Sequence, residues 1–225
     1  MRFVCLLGLL FALNDAHALE VTLLTPAGSK VLKTWSEKDL KALSGNKAAI
    51  SAQKLIFDES TSQLELNDRA DIDVISLYGE DGKTVRVPRF MVWRGSLKLE
   101  LSHGKLNSKG EPDRLVVPSE IFKIKDIKKI ELSRASSLYP GTGLKLRTNP
   151  AASRGEKLYT QSCLACHGAS QAKGLAVAAL TDTALNGFNT QHKRWNLNLD
   201  AKASRGVAAY RDALASEKSE VKSPK

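Results

Sequence analysis

The chain is poor in cysteine, in methionine and in long apolar runs, and each shortage removes a class of function. Of its 225 residues three are cysteine, at positions 5, 163 and 166, and none stands between Leu19 and Gln161. A zinc site would need one or two further ligands at suitable spacing beside Cys163 and Cys166, and no other cysteine offers them. Methionine occurs twice, and never after Met91. The one apolar block, Phe3 to Leu13, is much shorter than the roughly 20 residues of a membrane-spanning helix. No transmembrane anchor is therefore expected. Acidic residues are outnumbered, for a formal net charge of +10. The lysines are scattered without aromatic interleaving, so nucleic acid is not an expected partner. Two accounts of the charge stay open: a solvated basic surface, or docking to an acidic partner.

What is present begins with "MRFVCLLGLLFALNDAHALE". Arg2, a short apolar core and the small-x-small site Ala16-His17-Ala18 have the layout of a secretory signal peptide. The expectation is that residues 1–18 leave on export, taking Cys5 with them, and that a periplasmic chain starts at Leu19. Losing Arg2 and Asp15 leaves the net charge unchanged.

Two regions of different character follow. Residues 19–138 are rich in β-branched and alternating segments. "LEVTLLTP" reads as a strand, and "TWSEKDLKAL" as a helix with Ser36 as N-cap and Gly45-Asn46 as its stop. "DIDVISLYGEDGKTVRVP" reads as a strand pair about Asp81-Gly82. "DRLVVPSEI" and "IKKIELSRA" read as later strands, with Ile127, Ile130 and Leu132 as the apolar positions of the last. Residues 139–151, dense in Ser, Pro, Gly and Asn, have the composition of a linker. From there to residue 217 helix formers dominate, and 218–225 read as a charged tail. The expected architecture is two domains, a mixed, mainly β (α+β) one and an all-α one. No internal repeat is visible.

The chemistry is concentrated in "QSCLACHG". Cys163-Leu164-Ala165-Cys166-His167 is C-x-x-C-H, the spacing of a c-type haem attachment site. Two thiols add across the two vinyl groups of haem, and the next residue, His167, is placed to supply the proximal nitrogen to iron. A redox-active C-x-x-C usually follows a strand, and none precedes this one; a plain disulfide is the bland alternative. One motif implies one covalently bound haem c.

The flanks resemble the class I cytochrome c family over residues 152–217. "GEKLYTQSCLACHG" puts Gly155, Tyr159 and Cys163 four residues apart in series. In that family a glycine and an aromatic of the first helix pack against an aromatic of the last, here Tyr210 of "SRGVAAYRDAL". Tyr159 and Trp195 are the candidates for packing against the haem. The family's usual distal ligand, a methionine downstream of the motif, is missing. His192 of "NTQHKRWNLNLD" is the best replacement, and an imidazole there would lower the reduction potential relative to a thioether. An open sixth position, Lys193, or Met91 or His103 of the first domain are the alternatives.

"LTPAGSKVLKTWSEKDLKAL", "GEDGKTVRVP" and "DRLVVPSEI...IKKIELSRA" together resemble the molybdopterin-binding domain of sulfite oxidase-like enzymes. Those enzymes hold molybdenum through a cysteine, which residues 19–161 lack. The resemblance therefore implies a scaffold without its cofactor. Arg86, Arg89 and Arg94 are the nearest thing to an anion site and read more simply as a solvated face. Asp71 and Asp73 read as an ordinary exposed pair. The functions in view are an exported monohaem one-electron carrier that is not an enzyme, a haem-based sensor with an open sixth site, or the electron-accepting subunit of a molybdenum oxidoreductase.

Overall fold

A computed structural model describes residues 19–45, 47–110, 122–145, 149–164, 180–191 and 199–221. The expected leader and the "DRLVVPSEI" strand lie outside them. Alternation drives the first hairpin, β1 (Leu19–Thr25) and β2 (Gly28–Trp35), which pair antiparallel. Helix α1 (Glu37–Ser44) starts and stops where local chemistry places it. The Ser36 hydroxyl accepts from the Asp39 amide at 3.2 Å, and the Asp39 carboxylate accepts from the Ser36 amide at 3.1 Å. That reciprocal pair satisfies two of the helix's unbonded amides. Gly45 ends the helix at φ 61°, a left-handed conformation that glycine adopts without a Cβ penalty.

A short strand β3 (Ala49–Ile50), a π-helix (Lys54–Ser60) and α2 (Leu66–Ala70) lead to the expected hairpin, β4 (Val74–Gly79) and β5 (Thr84–Pro88). Helix α3 (Arg89–Trp93) comes next, then a second hairpin, β6 (Leu97–Ser102) and β7 (Lys105–Gly110). His103 and Gly104 occupy its two-residue turn with φ 49° and 76°, the paired positive dihedrals of the turn that matches strand twist. The last strand, β8 (Ile127–Ser133), sits centrally in a five-stranded sheet of order β2-β1-β8-β4-β5. It runs parallel to β1 and antiparallel to β4. Strands β3, β6 and β7 form a separate small sheet. Ile127, Ile130 and Leu132 are fully buried, as their apolar spacing anticipates, in one core with Val21, Leu40, Leu55 and Ile75.

After α4 (Ala135–Leu138) the chain becomes helical: α5 (Pro150–Ser162), α6 (Asp182–Asn186), α7 (Phe188–Gln191) and α8 (Ala201–Val221). Helix α8 thus continues into the stretch that reads as a charged tail. The expected division into a sheet-rich and a helical region holds. A second apolar cluster joins Tyr159, Leu164, Tyr210 and Leu214 to Tyr139 and Leu144 of the intervening segment and to Val74 of β4. The composition of 139–151 suggests a loose tether, but burial of Tyr139 and Leu144 and the bonds described below tie its described part to the helices.

Helices α5 and α8 cross with backbones in contact at Gly155 and Gly206. A Cβ on Gly155 would overlap the Gly206 carbonyl, whereas one on Gly206 would find its nearest atom at 3.5 Å, an ordinary contact. The two glycines should therefore respond oppositely to alanine. Gly155→Ala should destabilise the protein by about 1–3 kcal/mol through overpacking. Gly206→Ala should be neutral or stabilise it by up to about 1 kcal/mol, because alanine is the better helix former. Denaturant unfolding of both variants checks this, and equal effects would contradict the asymmetry.

Candidate functional site

Helix α5 carries the attachment motif at its end. It starts at Asn149, whose side-chain oxygen accepts from the amides of Ala151 and Ala152 at 2.9 and 3.2 Å, with Pro150 in the first turn. It stops at Cys163, whose amide donates to the Tyr159 carbonyl at 2.8 Å. The Cys163 side chain is half-buried at the margin of the second apolar cluster, and Leu164 is buried within it. Cys166, His167, His192, Lys193 and Trp195 lie outside the described residues. The part of the motif that is placed fits covalent haem. A thiol stands at a helix terminus against apolar side chains, where a flat apolar macrocycle can be bonded at its rim and packed over its face.

The aromatic pair read from the sequence is formed. The Tyr159 and Tyr210 rings lie 5.9 Å apart, tilted by 44°, beside the Gly155–Gly206 crossing. The Tyr210 hydroxyl donates to the Thr142 carbonyl. Burial, with the Glu156 carboxylate nearby, holds that phenol well above its ordinary pKa, so it stays a donor. Glu156 in turn accepts from the Leu144 amide at 3.0 Å, and the Lys145 amide donates to Glu217 at 3.0 Å. Residues 142–145 are thus strapped to both helices. Gly206 could have been suspected only from its place one turn before Tyr210.

The opposite side of α5 meets the sheet-rich domain. Thr160 donates its hydroxyl to Asp73 at 3.2 Å, and Gln161 donates its side-chain amide to the Ala70 carbonyl at 2.9 Å. The other Asp73 oxygen accepts from the Ala135 amide at 2.9 Å. Asp73 is therefore no ordinary exposed residue but the polar joint between the domains. Burial raises its pKa, and the bonds from Ala135, Gln161 and Thr160 offset this only in part. Asp71 does face outward, in an ion pair with Arg134 at 3.3 Å.

The remaining candidates separate. Met91 is 1% exposed within the core of the first domain, which encloses its thioether there. His103 is a turn residue whose Nδ1 lies 3.1 Å from the Ser102 hydroxyl. Of the three arginines Arg94 is exposed, whereas Arg86 and Arg89 are half-buried. Arg86 lies over the Tyr139 ring at 5.6 Å. Arg89 donates from Nη1 to the carbonyls of Arg69, Ala70 and Ile72 at 3.0–3.1 Å. Among the described residues, no group of three or more His, Cys, Asp or Glu side chains could hold a metal ion, and no helix is long and apolar enough to cross a membrane.

Residues 152–225 match the family model described as Cytochrome c. No curated protein and no solved structure matches the chain. The match supports a C-terminal c-type cytochrome domain over residues 152–225, which implies covalently bound haem c and supports haem-based electron transfer.

Asp73 makes the joint sensitive to pH. Its folded pKa lies above an unfolded value near 4. Its contribution to stability is therefore fully present below about pH 4 and is lost as pH rises through the folded value. Relative to Asp73→Asn, the wild type should lose thermal stability as pH is raised from about 4 towards neutrality. Melting both proteins across that range tests it, and a wild type that gains on the variant instead would show that the three donors outweigh burial.

Proposed function

We propose that the chain is an exported, monohaem c-type cytochrome that carries single electrons. The observation that carries this reading is the C-x-x-C-H motif at the end of a helix whose glycine and tyrosine lock against a second helix. Bound haem would supply the one-electron chemistry of its iron. Cys163 and Cys166 would anchor the ring covalently, His167 would hold the iron from the proximal side, and His192 from the distal side. Tyr159, Trp195 and the apolar side chains around them would exclude water from the macrocycle.

The net charge of +10 favours an acidic redox partner, with association that weakens as salt is added. The layout of the N-terminal segment supports export to the periplasm through a signal peptide comprising residues 1–18. We read the first domain as a scaffold of the sulfite oxidase-like kind without its metal. Its direct contact with α5 favours a second reading, in which a molybdenum-containing partner docks on that domain and passes electrons to the haem.

Absorption spectra of the protein, exported in a host that attaches haem, test the reading. The wild type should show covalent haem that is low-spin in both oxidation states and does not bind carbon monoxide immediately when reduced. His192→Ala should become high-spin and bind it. Spectra that are low-spin and alike in both proteins would move the distal ligand elsewhere. Immediate carbon monoxide binding by the wild type would favour a sensor with an open site, and absence of covalent haem would refute the assignment.

A further inference from the structure

Between the domains lies an open cleft of about 800 Å³, bounded by the π-helix, α2 and α3 on one side and by Lys157, Gln161 and Ser162 of α5 on the other. Its volume falls within the roughly 300–1,000 Å³ range of small-molecule sites. Nothing in the cytochrome chemistry above uses it, although Ser162 places it one residue from Cys163.

Its walls combine flat apolar surface with positive charge. The Arg89 guanidinium lies 4.9 Å from the Phe57 ring centre and 4.8 Å from that of Trp93, and the two rings meet edge to face at 6.3 Å. Trp93 is nonetheless 57% exposed, and Leu66 beside it is 79% exposed. A large aromatic left open to solvent next to another exposed apolar side chain marks a contact surface.

Arg69, Arg89, Arg94 and Lys157 line the cleft against one carboxylate, Asp58. The first two are held rigidly by neutral groups. Arg69 Nη2 donates to the carbonyls of Thr61 and Ser62 at 2.9 and 3.2 Å, and its buried Nε has no hydrogen-bond partner among the described residues. Arg89 makes its three carbonyl bonds through Nη1 alone, and a guanidinium has five N–H donors in a fixed fork. Asp71 and Asp73 counter part of the Arg89 charge, from outside the lining. Burial lowers the Arg89 pKa, so its charge is carried at a cost that an anion in the cleft would relieve.

From this geometry we infer that the interdomain cleft binds a small aromatic anion, its ring on Trp93 and its carboxylate, sulfonate or phosphate towards the guanidinium groups. The exposed Trp93 ring beside the Arg89 guanidinium gives a flat ligand an aromatic surface to rest on, and guanidinium groups suit an oxyanion.

Isothermal titration of the full haem-loaded protein with 2-naphthoate tests this. Heat of binding does not depend on how the iron is ligated, so the result stands apart from the haem assignment. One site with a Kd below about 1 mM is expected. Trp93→Ala and the double variant Arg94→Gln/Lys157→Gln, all changes at exposed positions, should each weaken it at least tenfold. Neutral 2-naphthylmethanol and inorganic sulfate should each bind at least tenfold more weakly than naphthoate. No binding at millimolar naphthoate, binding that the variants leave unchanged, or equal affinity for the neutral ring or for sulfate would each overturn the proposal.

Discussion

The helical region depends on one close approach, the contact of the α5 and α8 backbones at Gly155 and Gly206. Only because Gly155 lacks a Cβ can the two helices meet so nearly backbone to backbone. The approach brings Tyr159 and Tyr210 into contact, aims the Tyr210 hydroxyl at Thr142 and fixes the direction in which α5 delivers Cys163. Burial of large aromatic side chains supplies the apolar stabilisation around the crossing. Gly155 contributes by being small.

Helix α5 is consequently shared. Gly155 and Tyr159 serve α8, while Thr160 and Gln161 serve the sheet-rich domain through Asp73 and Ala70. Val74, one residue beyond Asp73, belongs to the same apolar cluster as the tyrosines. Polar and apolar contacts therefore meet at one point of the junction. The acidic group there is met by neutral hydrogen-bond donors, which offset the effect of its burial only in part.

Features set by neighbouring residues were legible in the sequence. The Ser36 N-cap, the Gly45 stop and the Asp81-Gly82 hairpin are decided within a few residues, and each stands where the letters put it. So does the glycine–tyrosine series of α5, because a four-residue repeat lays one face of a helix against its neighbour. The β6–β7 hairpin was missed although Leu97, Leu99 and Leu101 alternate with Lys98 and Glu100 before His103-Gly104. Asp73 could not be read at all. Its acceptor role depends on Thr160, 87 positions away, and the docking of α5 leaves an exposed-looking carboxylate half-buried. Arg89 was misread for the same reason, since the carbonyls that hold it belong to α2 and to Ile72, well before it in the chain.

Strand β8 is the last strand of its domain and also the central one, bonded to β1 on one edge and β4 on the other. Before it arrives, the larger sheet can exist only as two separate hairpins, and isolated two-stranded ribbons are marginal in water. The domain must therefore close late, when residues 127–133 slot between hairpins made long before. Cys163 follows Ser133 by only 30 positions. In a chain that emerges from its N-terminus, completion of the sheet and exposure of the attachment motif become nearly simultaneous events. The position of one strand thus ties completion of the sheet to the stretch of chain just before α5, which then has a finished surface to settle against.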